Sequence, residues 1–373
     1  SALGAAIETH PDRISVEGTG ADLTIPEAPI DVANSGTTLY LATSAAALAS
    51  GRVCFDGDAS IRRRSAAPLL GTLKELGVSV TEQGEAGCAP YCVTGPLRGG
   101  RSSISCRTSQ YLSSLLISLP LATAATELEV PLLYERPYVE MTLSWLDRQG
   151  ITYEREGFER FRIAGGEAYR PFDVAVPGDF SSATFFFVLP ALTGGTVTVT
   201  GLDLKDPQGD KEVLRIVERM GCRVDRKEEA ITVSAPESRR SGGPGLRGGS
   251  FDLNSMPDAL PALAVAATAA EESVRLVNVA QAREKETDRI AVMAAELGKM
   301  GATVRELPDG LEIEPSHLRG ATVDSHQDHR VAMALAVAGC AVTDGRATEI
   351  IDAECAEVTF PGFFELLSSI HRS

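Results

Sequence analysis

The seven cysteines of this sequence, at positions 54, 88, 92, 106, 222, 340 and 355, include no CxxC pair and no metal-ligand spacing. Thiols scattered in this way indicate neither a zinc site nor a disulfide framework, and they suit a reducing, cytoplasmic compartment. Cys88 and Cys92 share a turn rich in glycine and proline, where closeness is read as chance. No apolar run reaches the length of a membrane span, so no helix is expected to cross a bilayer. P-loop and dinucleotide-binding glycine fingerprints are missing too, so no nucleotide cofactor is indicated. Positive charge is in short supply: 35 Lys and Arg stand against 51 Asp and Glu, for a net charge of −16. That balance argues against nucleic acid as the main partner. An anionic substrate must then be held by local cationic clusters, and three exist: Arg62–Arg64, Lys285 with Arg289, and Arg330.

What the chain does have is length and a repeat. Its 373 residues, 43% of them apolar, allow two domains with ample core. A helix ending in glycine, a strand, a turn and a second strand recur as LKELGVSVTEQ, LDRQGITYEREGFERFRI, VERMGCRVDRKEEAITVSA and LGKMGATVRELPDGLEIEP. The helix-ending glycines are Gly77, Gly150, Gly221 and Gly301, and glycine suits the left-handed position that stops a helix. A long fixed period marks repeated supersecondary units. Pro308-Asp-Gly310 between alternating strands predicts a hairpin. Another copy opens at Ser1-Ala-Leu-Gly4, so roughly 60–70 residues of repeat architecture are expected to precede it; the other reading is an atypical capping repeat. Pro177-Gly178 reads as a hinge, giving domains 1–176 and 177–373. Glu237–Gly249 reads as a flexible loop.

Polar clusters fall at helix starts along the whole chain. Asn34-Ser-Gly-Thr-Thr38 precedes the apolar run Leu39–Ala49. Gly57-Asp58 with Arg62–Arg64 follows the strand Arg52–Phe55. Arg107-Thr108-Ser109-Gln110 and Glu135-Arg136-Pro137-Tyr138 each open a helix, as does Gly178-Asp179-Phe180-Ser181. Asp252–Asp258 precedes the apolar helix Ala259–Ala270, and Asp328-His329-Arg330 opens Val331–Ala338. Ala282–Gly301 is read as one amphipathic helix, with Ile290, Met293, Ala294, Leu297 and Met300 on its buried face. On that helix Lys285 and Arg289 share a face and Glu286 stands about a third of a turn away. Cations, a carboxylate and free helix N–H groups together favour an anion and place a proton donor beside it. Taken singly, each cluster is equally a capped helix start or a solvated charged turn.

Taken together and in order, these segments resemble the enolpyruvyl transferase family. The resemblance rests on Asn34-Ser-Gly-Thr-Thr, Gly57-Asp58 with its arginines, Ser109-Gln110, Arg136-Pro-Tyr138, Gly178-Asp179 with Ser181-Ser-Ala, Pro257-Asp258-Ala, Lys285-Glu-Thr-Asp-Arg289 and Asp328-His-Arg330. It covers nearly the whole chain, and KETDR fits the branch acting on shikimate 3-phosphate. It implies an α/β fold of two domains built from βαβαββ units, an inside-out α/β barrel that closes on its substrates. The implied reaction moves the enolpyruvyl group of phosphoenolpyruvate to the 5-hydroxyl of shikimate 3-phosphate and releases phosphate, with no cofactor, no metal and a monomeric enzyme. Carried onto this sequence, Glu286 is the acid/base and Asp258 meets the attacking hydroxyl. Arg289 and Arg330 hold the phosphoenolpyruvate carboxylate, with Gly36 and an arginine of the run, Arg62 or Arg64, near its phosphate. Thr108, Ser109, Gln110, Tyr138 and Lys285 bind shikimate 3-phosphate.

Four positions depart from the family pattern: Tyr40 replaces an Arg, Ser65 a Pro, Val358 a Lys, and Glu135 the Ser of the sugar-phosphate site. A carboxylate about 4 Å from a phosphate costs on the order of 4 kcal/mol per charge pair at an effective dielectric of 20. Unless Arg136 compensates or Glu135 turns away, a phosphorylated acceptor is disfavoured. The alternatives are therefore a transferase using another hydroxylated acceptor, or a noncatalytic anion-binding repeat protein.

Overall fold

The computed structural model describes residues 1–20, 22–237 and 245–371. The centre of the loop expected at Glu237–Gly249, residues 238–244, lies outside the described residues. The chain divides into two compact units, Ser1–Val174 and Ala175–Ser373. Unit 1 opens with a hairpin, β1 (Ala6–Thr9) and β2 (Ile14–Glu17). It continues as β3 (Ile30–Asp31), α1 (Gly36–Ala46), β4 (Arg52–Asp56), α2 (Ala67–Glu75), β5 (Ser79–Glu82) and β6 (Tyr91–Thr94). The same succession follows in β7 (Gly100–Cys106), α3 (Ser109–Ser118), β8 (Thr126–Leu133), α4 (Arg136–Gln149), β9 (Tyr153–Glu156) and β10 (Arg160–Ile163). The sheets run β3-β4-β6-β5 and β7-β8-β10-β9, each with one parallel pair and then antiparallel neighbours.

Unit 2 begins with α5 (Phe180–Thr193), β11 (Thr196–Thr200), α6 (Val213–Arg219), β12 (Arg223–Arg226) and β13 (Ala230–Ser234), in a sheet ordered β11-β13-β12. The full βαβαββ pattern returns in β14 (Gly249–Asp252), α7 (Leu260–Thr268), β15 (Val274–Val277), α8 (Arg289–Lys299), β16 (Val304–Leu307) and β17 (Gly310–Ile313). Its sheet order, β14-β15-β17-β16, matches that of both complete repeats in unit 1. The unit ends with β18 (Thr322–Asp324), α9 (His329–Cys340), β19 (Glu349–Ile351) and α10 (Phe363–His371). The α/β class and the repeat read from the glycine spacing are thus those of the folded chain.

Each unit has its own core. In unit 2, α5 and α7 are apolar all round and buried along nearly their whole length, as expected of helices packed on every side. α5 packs on α7 and α9, and α7 packs on α8. With their sides taken up by packing, helices of this kind meet polar groups at their ends. Among the described residues no helix is long and apolar enough to cross a membrane.

Two expectations are corrected. The helix read over Ala282–Gly301 is broken: a short 3-10 turn covers Ala280–Glu284, Lys285 is extended, and α8 begins at Arg289. Asp288 is the reason, because its side chain accepts the N–H of Ala291 and caps the helix there. Lys285 and Glu286 therefore sit in the turn before the helix rather than on its face. The second correction concerns cysteine. Cys54 and Cys92, 38 residues apart, form a disulfide where antiparallel pairing of β4 with β6 sets them opposite each other. Spacing along the chain carries no sign of a bond made by strand register, and the cysteine argument for a reducing compartment loses its support.

Gly150 stops α4 with φ +71, and its N–H reaches the carbonyls of Leu146 and Asp147. A Cβ there would meet nothing within 4 Å, whereas one on Gly310 would lie 1.8 Å from the Leu276 carbonyl oxygen. Gly150→Ala is accordingly expected to cost about 1 kcal/mol, from the left-handed backbone alone. Gly310→Ala should cost about 3 kcal/mol or more, because backbone must move. Urea midpoints of the two variants check the ranking.

Candidate active site

In unit 2 the turn between β15 and α8 meets the starts of α7 and α9. Its centre is Arg289, the first residue of α8, with 1% of its surface exposed. The guanidinium donates from Nε to Asp328 Oδ2 at 2.7 Å and from Nη2 to Asp328 Oδ1 at 3.2 Å. Nη1 donates to Asp258 Oδ1 at 2.7 Å, and Nη2 also reaches Glu286 Oε2 at 2.6 Å. Asp328 is completely buried and works twice, since Oδ1 also accepts the N–H groups of Arg330 and Val331 as the N-cap of α9. Lys285 Nζ stands 3.7 Å from Asp258 Oδ1, and Arg330 Nη2 stands 3.4 Å from Asp258 Oδ2. Three cations and three carboxylates thus share one largely buried cluster.

Burial pushes the Asp258 carboxyl up, but the charges of Arg330, Lys285 and Arg289 outweigh it and hold Asp258 well below the usual carboxylate range. Burial likewise opposes the charge of Arg289, and Asp328, Glu286 and Asp258 more than restore it. His329 is lowered by its own burial and by Arg289, so the neutral imidazole is favoured. The arrangement supplies one carboxylate, Asp258, that stays ionised beside cations, which suits binding an anion and moving a proton next to it.

Glu296, on the buried face of α8, ties the same elements together a second time. Its carboxylate accepts from Lys299 Nζ at 2.7 Å and from the Asp324 N–H at 2.9 Å, and it meets His326 Nε2 at 3.0 Å. It thereby anchors the turn in which His326 and Gln327 both take left-handed backbone, φ +51 and +59, just before Asp328. Neither Asp328 nor Glu296 is among the site residues expected from the sequence. An acid between Met293 and Met300 at helical spacing, on an apolar face, is the available signal for Glu296.

In unit 1 the structure sorts the arginine run. Arg62 is exposed and forms two hydrogen bonds with Asp56, at 2.8 and 2.6 Å. Arg64 lies over Gly36, where a Cβ would come within 2.9 Å of Nη1, and it donates to the Asn34 carbonyl at 3.3 Å. Only Arg64 of the two is brought to the start of α1, where Ser35 caps the helix through the Thr38 N–H. Gln110 Nε2 donates to Thr37 Oγ1 at 2.6 Å, joining the starts of α1 and α3. Thr108 caps α3, Ser109 is buried, and Tyr138 is half-buried in the first turn of α4. Tyr40 stacks edge-on against Tyr111 at 4.9 Å between ring centroids, and both hydroxyls donate to the Ser65 carbonyl. Two departures from the family pattern, Tyr40 and Ser65, are therefore in contact with each other. Val358 is 65% exposed.

Removing Asp328 leaves the Arg289 charge buried with less compensation. Asp328→Ala is expected to cost about 3–5 kcal/mol in urea unfolding. The depressed pKa of Asp258 fixes a sign as well. Its contribution to stability is present above the unfolded value of about 3.9 and is lost as pH falls through the lower folded value. Stability measured from pH 7 to pH 2 should therefore fall at the acid end, and Asp258→Asn should flatten part of that fall.

The family model described as EPSP synthase (3-phosphoshikimate 1-carboxyvinyltransferase) matches residues 1–367. A 3-phosphoshikimate 1-carboxyvinyltransferase of Acetivibrio thermocellus is 47% identical over 368 residues, covering 98% of this chain and 84% of that protein. One from Methanocella arvoryzae is 42% identical over 371 residues, covering 99% of this chain and 86% of its own. Among solved structures, an EPSP synthase from Acinetobacter baumannii superposes with a TM-score of 0.77 at 27% identity, over 99% of this chain and 85% of that one. The chain belongs to the EPSP synthase family, and it is a transferase of the 3-phosphoshikimate 1-carboxyvinyltransferase type.

Proposed function

We propose the following residue roles in enolpyruvyl transfer from phosphoenolpyruvate to the 5-hydroxyl of shikimate 3-phosphate. Glu286 delivers a proton to carbon 3 of phosphoenolpyruvate while the hydroxyl oxygen bonds to carbon 2. Asp258 accepts the hydrogen bond, and then the proton, of that hydroxyl. The tetrahedral adduct collapses when Glu286 takes a proton back from carbon 3 and the carbon–oxygen bond to phosphate breaks. Arg289 and Arg330 hold the phosphoenolpyruvate carboxylate and Lys285 serves the acceptor, with Arg289 also bonded to Asp258 and Glu286. Gly36 and Arg64 serve the phosphoenolpyruvate phosphate, while Thr108, Ser109, Gln110 and Tyr138 serve the acceptor.

One observation carries this reading: Asp258 and Glu286 are bonded to the same guanidinium, at 2.7 and 2.6 Å. Two proton-handling carboxylates are thereby fixed on one rigid group, with Lys285 and Arg330 alongside. Asp258 alone is a poor base, being held far below its ordinary pKa by those cations. Anionic substrates binding to Lys285 and Arg330 relieve that hold, so Asp258 gains basicity as the site fills. The reading also includes a cytoplasmic, monomeric enzyme.

Phosphate release from phosphoenolpyruvate with shikimate 3-phosphate tests the reaction, with unphosphorylated shikimate as comparison. Glu286→Gln keeps the shape of the side chain and removes its acid/base capacity. It is expected to lower kcat by about 10²–10⁴, with ligand dissociation constants changed far less. Turnover at the wild-type rate in that variant would remove Glu286 from its role.

A further inference from the structure

The turn that carries Lys285 and Glu286, between β15 and α8, is irregular: Ala280–Glu284 form a short 3-10 turn and Lys285 after it is extended. Such a segment keeps one shape only where other groups fasten it against its own entropy. Arg283 supplies the fastening. Its Nη1 donates to Asp288 Oδ2 at 2.7 Å and to Glu306 Oε2 at 3.2 Å. Its Nη2 donates to Glu306 Oε2 at 3.2 Å and to the Leu307 carbonyl at 2.9 Å, and Nε donates to the Pro308 carbonyl at 3.3 Å. Every guanidinium nitrogen is thus engaged, on the tip of the β16–β17 hairpin and on the residue that caps α8. Asp288 divides its carboxylate, with Oδ1 capping the helix through the Ala291 N–H and Oδ2 meeting Arg283. The entry to the turn is held by the same hairpin, because Asp309 accepts the N–H groups of Asn278 and Val279. Glu286 lies between Arg283 and Asp288, on the stretch that these bonds close.

We infer that Arg283 is a positioning residue for Glu286, pinning the backbone of its turn to the β16–β17 hairpin while Arg289 holds its carboxylate. The inference rests on the acid/base role given to Glu286 under Proposed function. A carboxyl group delivers a proton only from hydrogen-bond reach of the reacting atom, so a small displacement of the turn slows that step. Arg289 by itself does not prevent it. When Glu286 carries the proton, its charge-assisted bond to Arg289 weakens, and the backbone then sets where the side chain reaches. Lysine at this position would keep the charge and could meet Asp288 or Glu306. It lacks the planar fork that holds carboxylates and carbonyls together.

The test compares the wild type with Arg283→Gln, Arg283→Lys and Glu286→Gln, each checked for folding by thermal melting. The readouts are kcat per folded molecule, KM for phosphoenolpyruvate and for shikimate 3-phosphate, and the solvent deuterium isotope effect on kcat. Arg283→Gln is expected to lower kcat by about 10–10²-fold, with KM for phosphoenolpyruvate changed far less. Its isotope effect should rise as proton delivery becomes the slow step, which a loss of stability alone would not produce. Arg283→Lys should recover part of kcat and bring the isotope effect back down. Wild-type kcat in folded Arg283→Gln, or a lower kcat with an unchanged isotope effect, overturns the inference and leaves the synthase reading standing. Should Arg283→Gln not fold, the same two readouts on Arg283→Lys decide. Wild-type turnover by Glu286→Gln overturns the acid/base assignment, and no turnover in the wild type overturns the synthase reading; the inference falls with either.

Discussion

A guanidinium withdrawn from water is the fixed point of unit 2. A buried charge is tolerated only where opposite charges and hydrogen bonds replace the lost hydration. Arg289 meets that demand with Asp258, Glu286 and Asp328, which come from three different stretches of chain. The planar fork of arginine matters here, because one rigid group fixes the directions of all three carboxylates at once. Asp328 then carries the constraint into α9 as its N-cap, and Asp258 stands in the turn that leads into α7. Three helix starts are thus registered to one another by a single side chain.

In the proposed reaction, acid and base roles share this one cluster. A carboxylate surrounded by cations stays ionised, which by itself makes a weak base. In that reaction a bound anion shares those cations, and the proton affinity of Asp258 rises with it. Glu296 supplies a second tether, from the middle of α8 to the turn before α9, and holds two consecutive left-handed residues in place. The strained turn and the ionic hub restrain the same short segment from two sides.

Unit 1 works with different means. Its polar sites are helix starts served by serine and threonine hydroxyls, with Arg64 lying against Gly36. Substitutions there are absorbed locally. The Tyr40 hydroxyl donates to the Ser65 carbonyl, and Tyr111 completes the contact. Glu135 is accommodated by the backbone and hydroxyl donors of Thr108 and Ser109 at the start of α3.

Much of this was legible in the sequence because it is local. The glycines that end helices, the hydroxyl and carboxylate caps, and the apolar bodies of α5 and α7 follow from backbone sterics and side-chain periodicity, which neighbours along the chain fix. Those signals settled the helix–strand–strand repeat and the positions of the polar clusters at helix starts, while the α/β class and the full βαβαββ unit came from the family resemblance. What they could not settle is which group faces which. Asp288 ended the presumed continuity of the helix before Arg289 and moved Lys285 and Glu286 into a turn. Strand register joined Cys54 to Cys92, and packing chose Arg64 over Arg62 for the start of α1. Partner choice in each case depends on segments that fold together from distant parts of the chain, where distance and burial decide the energy. Sequence determined the elements and their chemistry; the tertiary structure decided the pairings, because a charge or a thiol acts through space and not along the chain.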